Sequence, residues 1–328
     1  MTIDQSVAAG NSLMSTTFEV IVADRYVIAD GVVALELERP DGTELPEWTP
    51  GAHIDVIVGD AIVRQYSLCG DHDDRSRWRI AVLREQEGRG GSAFIHDEVA
   101  KGSTILISEP RNHFELVAAP QYVFVAGGIG ITPILAMIRS SRVQNAEWVL
   151  HYGGRTASSM AFATDLVETY GDRICLHPQD EVGLLDLQAI VGQHGDDAVV
   201  YCCGPGPLLK AIESHCTTWP KGALHVERFE PKEHANPNQD VGFEVELRRS
   251  GQIVQVGACE SVLEAVRGAG IPITSSCEEG TCGTCEVPVL EGDVDHRDSI
   301  LSDDEQAAND TMFICVSRAR CPRLVLDL

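Results

Sequence analysis

Four cysteines near the end of the sequence have a spacing that favours a metal cluster. Cys277, Cys282 and Cys285 form a C-x4-C-x2-C run, and Cys315 follows farther along the chain. Thiolates bind both zinc and iron, but structural zinc sites usually show paired C-x2-4-C knuckles. Here the first gap is longer and the fourth cysteine is isolated. The pattern therefore predicts that the four cysteines ligate a [2Fe-2S] cluster.

A one-electron centre needs a group that supplies its electrons, and two upstream segments have residue types that suit a flavin. The first places a guanidinium, a phenol ring and a hydroxyl on or beside one predicted strand. Its residues are Arg64, Gln65, Tyr66, Ser67 and Leu68. The second is a glycine turn before a helix, where free backbone amides bind phosphate and Ser92 can cap the helix. Its residues are Gly90, Gly91 and Ser92. Each segment alone also matches an ordinary strand or turn, and the two together favour a flavin site.

A third segment has the pattern of a nucleotide-binding loop. Residues 121–126 are apolar without alternation, as expected of a buried parallel strand. A G-G-x-G-x-T-P loop and an apolar helix pattern follow. In this loop Thr132 is predicted as the helix N-cap and Pro133 lies in the first turn. The residues predicted to contact the nucleotide are Gly127, Gly128, Gly130, Thr132 and Pro133.

Two later loops also follow predicted strands. Arg155 comes after residues 148–152 and is either a contact for the adenosine end or a surface arginine. Residues 198–202 lead into a C-G-P segment made of Cys203, Gly204 and Pro205. From the residues alone, Cys203 is a small buried side chain.

The periodicity predicts three domains. Short alternating strands over residues 18–118 suggest an antiparallel β-barrel, and residues 119–230 suggest an α/β domain with a parallel sheet. Residues 231–241 have the composition of a linker. Residues 242–328 combine a hairpin, a short helix and the cysteine run, which is the α+β β-grasp pattern of plant-type ferredoxins. Residues 1–17 are predicted to be a disordered tail.

Taken in order, these motifs resemble the phthalate dioxygenase reductase family of the ferredoxin-NADP reductase superfamily. The motifs that carry the resemblance are R-x-Y-S, G-G-S, G-G-x-G-x-T-P and C-G-P, with the ferredoxin at the C-terminus. The resemblance implies FMN rather than FAD and NADH rather than NADPH. It also implies that Thr132 and Cys203 position the nicotinamide and that Phe229 approaches the flavin. Residues 111–114 resemble the segment that ends the barrel in this family, and we assign them no firm role.

The implied function is the reductase component of a two-component Rieske-type oxygenase or O-demethylase in aromatic catabolism. Electrons would pass from NADH through FMN to the cluster and on to the oxygenase. Hydride would move directly between cofactors, so the protein would supply orientation and no acid–base residue is assigned. Two alternatives stay open: the same electron chain serving a cytochrome P450 or another acceptor, and a redox-sensing flavo-ferredoxin without a dedicated acceptor.

Composition limits the classes of partner that the protein could bind. The formal net charge of −25 argues against nucleic acid and anionic membranes, and it suits either solubility or a basic protein partner. We see no membrane-span pattern and no secretory signal, so we expect a cytoplasmic protein. We also expect the reductase to be a monomer. The 11 cysteines do not suggest a disulfide framework in such a chain.

Overall fold

The computed structural model describes residues 17–59, 62–86, 88, 90–143, 146–192, 198–232 and 241–328. It contains three large β-sheets, each formed by one continuous part of the chain, and one two-stranded sheet. This arrangement confirms the predicted combination of an antiparallel barrel, a parallel α/β sheet and a β-grasp ferredoxin fold. No helix in the described ranges is both long and apolar enough to span a membrane.

The first sheet is the antiparallel barrel. Its strands are β1 (Thr17–Ala29), β2 (Val32–Glu38), β3 (His53–Val58), β4 (Ile62–Ser67), β5 (Trp78–Leu83) and β6 (Thr104–Ser108). Their order is β4-β3-β6-β1-β2-β5, and a bridge between Leu68 and Ile80 joins the two edges. Helix α1 (Gly91–Glu98) packs against β3, β4 and β5. Since β1 begins at Thr17, the predicted tail is one residue too long, and residues 1–16 lie outside the described ranges.

The second sheet is fully parallel. Its strands are β7 (Gln121–Gly127), β8 (Glu147–Gly154), β9 (Ile174–Pro178), β10 (Ala198–Cys203) and β11 (Leu224–Glu227). The helices of this part are α2 (Ile131–Val143), α3 (Ala163–Tyr170), α4 (Gln179–Val182), α5 (Leu187–Gly192) and α6 (Gly206–His215). The strand order is β11-β10-β7-β8-β9, so it reverses between β7 and β10. Ligands of such sheets bind where the order reverses, at the carboxyl ends of the strands.

The third sheet has the mixed pairing of a β-grasp fold. Its strands are β12 (Phe243–Leu247), β13 (Gln252–Val256), β14 (Glu286–Glu291), β16 (Thr311–Phe313) and β18 (Arg323–Leu326). The order is β13-β12-β18-β14-β16, with β12 parallel to β18. The two-stranded sheet pairs β15 (Val294–Asp295) with β17 (Arg318–Ala319). The helices are α7 (Val262–Gly268) and α8 (Asp303–Ala308), capped by Ser261 and Ser302.

Helix and strand ends differ from the predictions in three places. The helix after the nucleotide loop begins at Ile131, behind a 3-10 turn over Gly128–Gly130. Thr132 therefore lies inside the first turn and donates to the Ile129 carbonyl at 3.0 Å, so its prediction as N-cap was wrong, whereas Pro133 does lie in that turn. Ser92 does not cap α1, because Gly90 is the N-cap residue. Residues 225–229 have the sequence pattern of a strand, but strand β11 ends at Glu227, before Phe229.

Candidate functional site

The four predicted ligand cysteines lie together and are buried, each less than a tenth exposed. They form two thiol pairs. The Cys282 thiol donates to Cys277 and lowers the pKa of Cys277 to about 5. The Cys315 thiol likewise donates to Cys285 and lowers the pKa of Cys285. Two pairs of neighbouring thiols, each with one thiol of lowered pKa, are a donor set suited to iron.

The spacing between the pairs separates a two-iron site from a zinc site. A tetrahedral zinc site brings all four sulfur atoms to within about 3.8 Å of one another. Among the described residues, no three of these cysteines have sulfur atoms mutually within 4.8 Å. Two close pairs held farther apart match two metal atoms, with one pair on each. The residues present therefore fit a [2Fe-2S] cluster.

The backbone between these cysteines is shaped by glycines. We call residues 276–285 the cluster loop. Gly280 and Gly283 have φ values of +70° and +76°, a region that favours glycine. The Glu279 amide donates to Cys277 Sγ at 3.3 Å, and the Gly280 amide faces Cys315. Such amide donors stabilise negative charge on sulfur.

The predicted phosphate site forms where β4 meets the start of α1. A Cβ atom on Gly91 would lie 2.6 Å from Arg64 Cγ, so the arginine side chain crosses the helix at its first residue. Gly90, the N-cap residue, has a φ of +83° and leads into the free amides of α1. Guanidinium and amides thus lie at one place, which suits an anion. The Ser92 hydroxyl instead accepts from the Glu85 amide at 3.0 Å.

The other predicted flavin residues divide into two groups. Ser67 lies at the end of β4 with its hydroxyl buried and without a hydrogen-bond partner among the described residues. Tyr66 packs against the barrel core, and Leu68 is fully buried in that core. Gln65 directs its amide to Asp55 and Ser276. Ser67 therefore offers a buried polar group that the described residues leave unpaired.

A cleft of about 110 Å³ lies between all three sheets. The barrel, the end of β11 and the cluster loop all contribute to its wall. The lining residues are His53, Arg64, Gln65, Ser67, Glu227, Arg228, Phe229, Glu279 and Thr281. Within the described ranges, His53 Nε2 has no hydrogen-bond partner either, and burial lowers the pKa of His53, so the ring is neutral. Unpartnered buried polar atoms cost about 1–3 kcal/mol each, so a polar ligand edge fits this wall.

The predicted nucleotide residues meet at the point where the strand order reverses. A Cβ atom on Gly130 would lie 2.3 Å from the Cys203 carbonyl oxygen, and one on Gly127 would lie 2.7 Å from Pro205 Cδ. The loops after β7 and β10 are thus in direct contact, and this contact requires glycine. Arg155 is exposed at the end of β8, where its carbonyl accepts from the Asp180 amide at 3.2 Å.

Sequence reasoning missed Glu227, His53 and the two cluster-loop residues of the cleft. Glu227 pairs with Cys203 across β10 and β11, and the Cys203 thiol donates to Glu227 Oε2 at 3.9 Å. Burial raises the pKa of Glu227 to about 8 and also raises the pKa of Cys203. The alternation of β11 was a usable signal for Glu227. No local motif marks His53, whereas Glu279 and Thr281 lie inside the C-x4-C run, whose spacing indicates only the cluster.

Fold and site together define an oxidoreductase in which a nucleotide-binding sheet is joined to a plant-type [2Fe-2S] domain. Comparisons with known proteins agree. The family model of the 2Fe-2S iron-sulfur cluster binding domain matches residues 245–320. The phthalate 4,5-dioxygenase oxygenase reductase subunit of Pseudomonas putida is 40% identical over 306 residues, which are 92% of this chain and 94% of that protein. The chain belongs to the phthalate dioxygenase reductase family.

Two solved structures resemble the whole chain. Phthalate dioxygenase reductase, described as a modular structure for electron transfer from pyridine nucleotides to [2Fe-2S], aligns with a TM-score of 0.69 and 36% identity over 95% of this chain and 98% of that one. An intact type IV self-sufficient cytochrome P450 monooxygenase aligns with a TM-score of 0.90 and 44% identity. The match covers 95% of this chain, which spans only 41% of that P450 chain. The protein is thus a reductase component that transfers electrons from pyridine nucleotide to a [2Fe-2S] centre.

Proposed function

We propose that the protein carries electrons from NADH through FMN and its [2Fe-2S] cluster to a Rieske-type oxygenase or O-demethylase. The observation that carries this proposal is the cleft, because residues of the flavin strand, of the nucleotide-binding sheet and of the cluster loop line the same space. A shared space of this kind lets an electron pass from a flavin to a cluster over a short distance. A bound flavin would accept two electrons as hydride and release them one at a time.

The roles of the cleft residues follow from their chemistry. Ser67 and His53 offer buried polar atoms to the polar edge of the ring. Arg64 and the amides of α1 hold the phosphate. Phe229, which is 43% exposed and lines the cleft, would pack against the ring. Glu279 and Thr281 close the wall on the cluster side and exclude water.

The loops after β7 and β10 would orient the nicotinamide nucleotide. The glycine contact between Gly130 and Cys203 fixes both loops in one arrangement. The Thr132 hydroxyl donates a hydrogen bond to the Ile129 carbonyl, so it positions the helix start rather than donating to a ligand. Since burial raises the pKa of Cys203, this thiol stays neutral and serves as a packing surface for the ring.

Charge near the adenosine end supports NADH over NADPH. Arg155 is an exposed cation there, but α4 begins beside it with the carboxylates of Asp180 and Glu181. A 2′-phosphate would be repelled by these carboxylates, whereas a ribose hydroxyl would not.

The order of the domains supports FMN over FAD. We place these domains at residues 18–118, 119–230 and 242–328, with a linker over 231–241, of which 233–240 lie outside the described residues. Releasing the flavin by denaturation and measuring its mass by mass spectrometry tests the choice of FMN over FAD. FMN is the expected product, and FAD would contradict it. Steady-state rates with NADH and with NADPH test the choice of NADH. A kcat/KM for NADPH equal to that for NADH would contradict it.

The oxygenase partner is supported by the reductase subunit of phthalate 4,5-dioxygenase to which this chain is similar. A cytochrome P450 is the second candidate, favoured by the likeness to the self-sufficient P450. We further propose that the protein works as a cytoplasmic monomer without nucleic acid or membrane. Reconstitution with a Rieske oxygenase and, in parallel, with a P450 that lacks its reductase decides the acceptor. We expect product formation coupled to NADH oxidation with the Rieske enzyme. Turnover with the P450 and not with the Rieske enzyme would replace that assignment. Slow NADH oxidation that neither acceptor stimulates would favour a redox sensor.

A further inference from the structure

The cluster loop is tied to the barrel through one buried carboxylate. Asp55 lies on β3 with its side chain 5% exposed. Its Oδ1 atom accepts from Gln65 Nε2 and from Arg111 Nη2, each at 2.7 Å. A buried carboxylate is costly unless it is paired and hydrogen bonded, and here both partners meet one oxygen atom.

Both partners of Asp55 also reach the cluster loop. The same Gln65 amide donates to Ser276 Oγ at 2.6 Å. Arg111 Nε donates to the Cys282 carbonyl at 3.4 Å, which is a long hydrogen bond. Ser276 directly precedes the first ligand cysteine and Cys282 is the second. One carboxylate thus organises contacts at two points of the loop. We call Asp55, Gln65 and Arg111 the barrel clamp.

Sheet register holds the clamp in shape. Asp55 and Gln65 are directly opposite each other in the antiparallel pair β3–β4, where side chains of one face are neighbours. The Arg111 backbone exchanges two hydrogen bonds with His53, two residues before Asp55, at 2.9 and 3.0 Å. Three residues that are distant in sequence are therefore fixed by the barrel itself, before the cluster loop is considered.

A steric contact adds to the clamp. A Cβ atom on Gly283 would lie 2.1 Å from His113 Nε2, so this side chain of the barrel segment lies directly on the loop backbone. The nucleotide-binding part contacts helix α8 through an ion pair between Lys221 and Asp304, both of them largely exposed. Exposed ion pairs contribute about 0–1 kcal/mol. The barrel side is thus the firmer attachment.

We propose that Asp55, Gln65 and Arg111 are positioning residues that hold the cluster loop at a fixed distance from the flavin cleft. Gln65 itself lines that cleft, so the clamp joins the wall of the donor site directly to the acceptor loop. The electron transfer takes one electron at a time from the flavin to the oxidised cluster, and each NADH supplies two. Electron tunnelling falls steeply with distance, so a loose loop slows this step and leaves hydride transfer unchanged. The inference rests on the proposed electron path through the cleft.

Asp55→Asn in the holoprotein tests the clamp, because it keeps the shape and removes the charge that orients Arg111. The matched control is Glu38→Gln, which breaks an exposed ion pair with Arg77 in the same barrel. In Asp55→Asn we expect amide hydrogen exchange of the cluster loop to become about tenfold faster, and cluster reduction after NADH addition to become about tenfold slower. The rate of flavin bleaching should match that of the control.

Ser276→Ala removes one contact of the clamp without burying an unpaired charge. It therefore tests the clamp even if Asp55→Asn fails to fold. It should change loop exchange and cluster reduction in the same direction, by a smaller factor. Loop exchange and cluster reduction equal to those of Glu38→Gln in the variants that fold would overturn the clamp. If wild-type flavin fails to bleach with NADH, the proposed function falls, while the exchange measurement still judges the clamp.

Discussion

The cluster loop and the flavin cleft reach a working geometry in opposite ways. The cluster loop is a short segment in which three of four ligands, their amide donors and the shaping glycines are close in sequence. The cleft takes its residues from the barrel, the nucleotide-binding part and the cluster loop, and it holds polar atoms that no described protein group satisfies. A local site is fixed by its own backbone, whereas a site shared between sheets depends on how those sheets pack. The two regions should therefore respond differently to substitution.

The largest effect expected is loss of the cluster in Cys315→Ser, since this ligand comes from outside the cluster loop. Electron delivery to a one-electron protein acceptor should fall at least about a hundredfold, while NADH still bleaches the flavin. Visible absorbance, iron content and acceptor reduction measure these quantities. Cys259→Ser, which changes an exposed thiol of the same domain, should behave as wild type. Transfer that survives in Cys315→Ser would show that the ligand assignment is wrong.

Gly283→Ala tests how far the cluster loop depends on its neighbour. The new methyl group would strain a φ of +76° and collide with His113. Gly251→Ala is the control, because its φ of +69° is similar but its Cβ atom would meet nothing within 4 Å. We expect about 1–2 kcal/mol of destabilisation in the control and about 1–3 kcal/mol more in Gly283→Ala, measured by urea unfolding. Equal losses would mean that the barrel contact is unimportant.

Ser67→Ala tests whether Ser67 is a ligand-binding residue of the cleft or an ordinary core residue. Removing an unpartnered buried hydroxyl should leave the flavin-free protein as stable or more stable, yet weaken flavin binding about 2- to 10-fold. Ser317→Ala is the opposite case, because this buried hydroxyl accepts from the Arg297 amide at 3.2 Å. It should lower stability and leave flavin affinity unchanged. Calorimetric unfolding and flavin titration measure both quantities, and lower stability of Ser67→Ala would place its partner within the protein.

A pH dependence from Glu227 is an effect of a different kind. Its folded pKa of about 8 lies above its ordinary value of 4.5. Between these values the folded protein keeps a proton that the unfolded chain has released, so this group makes stability fall as pH rises. Glu227→Gln should lack that fall, with a difference from wild type of up to about 5 kcal/mol across the full range. Urea unfolding curves at several pH values measure it, and parallel pH profiles of the two proteins would mean that Glu227 titrates normally.

The sequence was sufficient for the three folds and for the parts of the site that single segments define. That Cys277, Cys282 and Cys285 lie close together was predictable because their short spacing restricts where the thiols can be. The helix starts at Ile131 and Gly91 were missed, because a 3-10 turn and a glycine N-cap carry no strong side-chain signal. The Asp55–Arg111 pair could not be predicted from the sequence, because only the pairing of Arg111 with strand β3 brings these positions together.

Anaerobic addition of NADH to the purified holoprotein tests the central claim, that one cleft connects a nucleotide-reduced flavin to the cluster. Absorbance follows the flavin, and electron paramagnetic resonance follows the reduced [2Fe-2S] centre. The account predicts that the flavin bleaches and that the signal of the reduced cluster then appears. A bleached flavin beside a cluster that stays oxidised, in protein with full iron content, would contradict it.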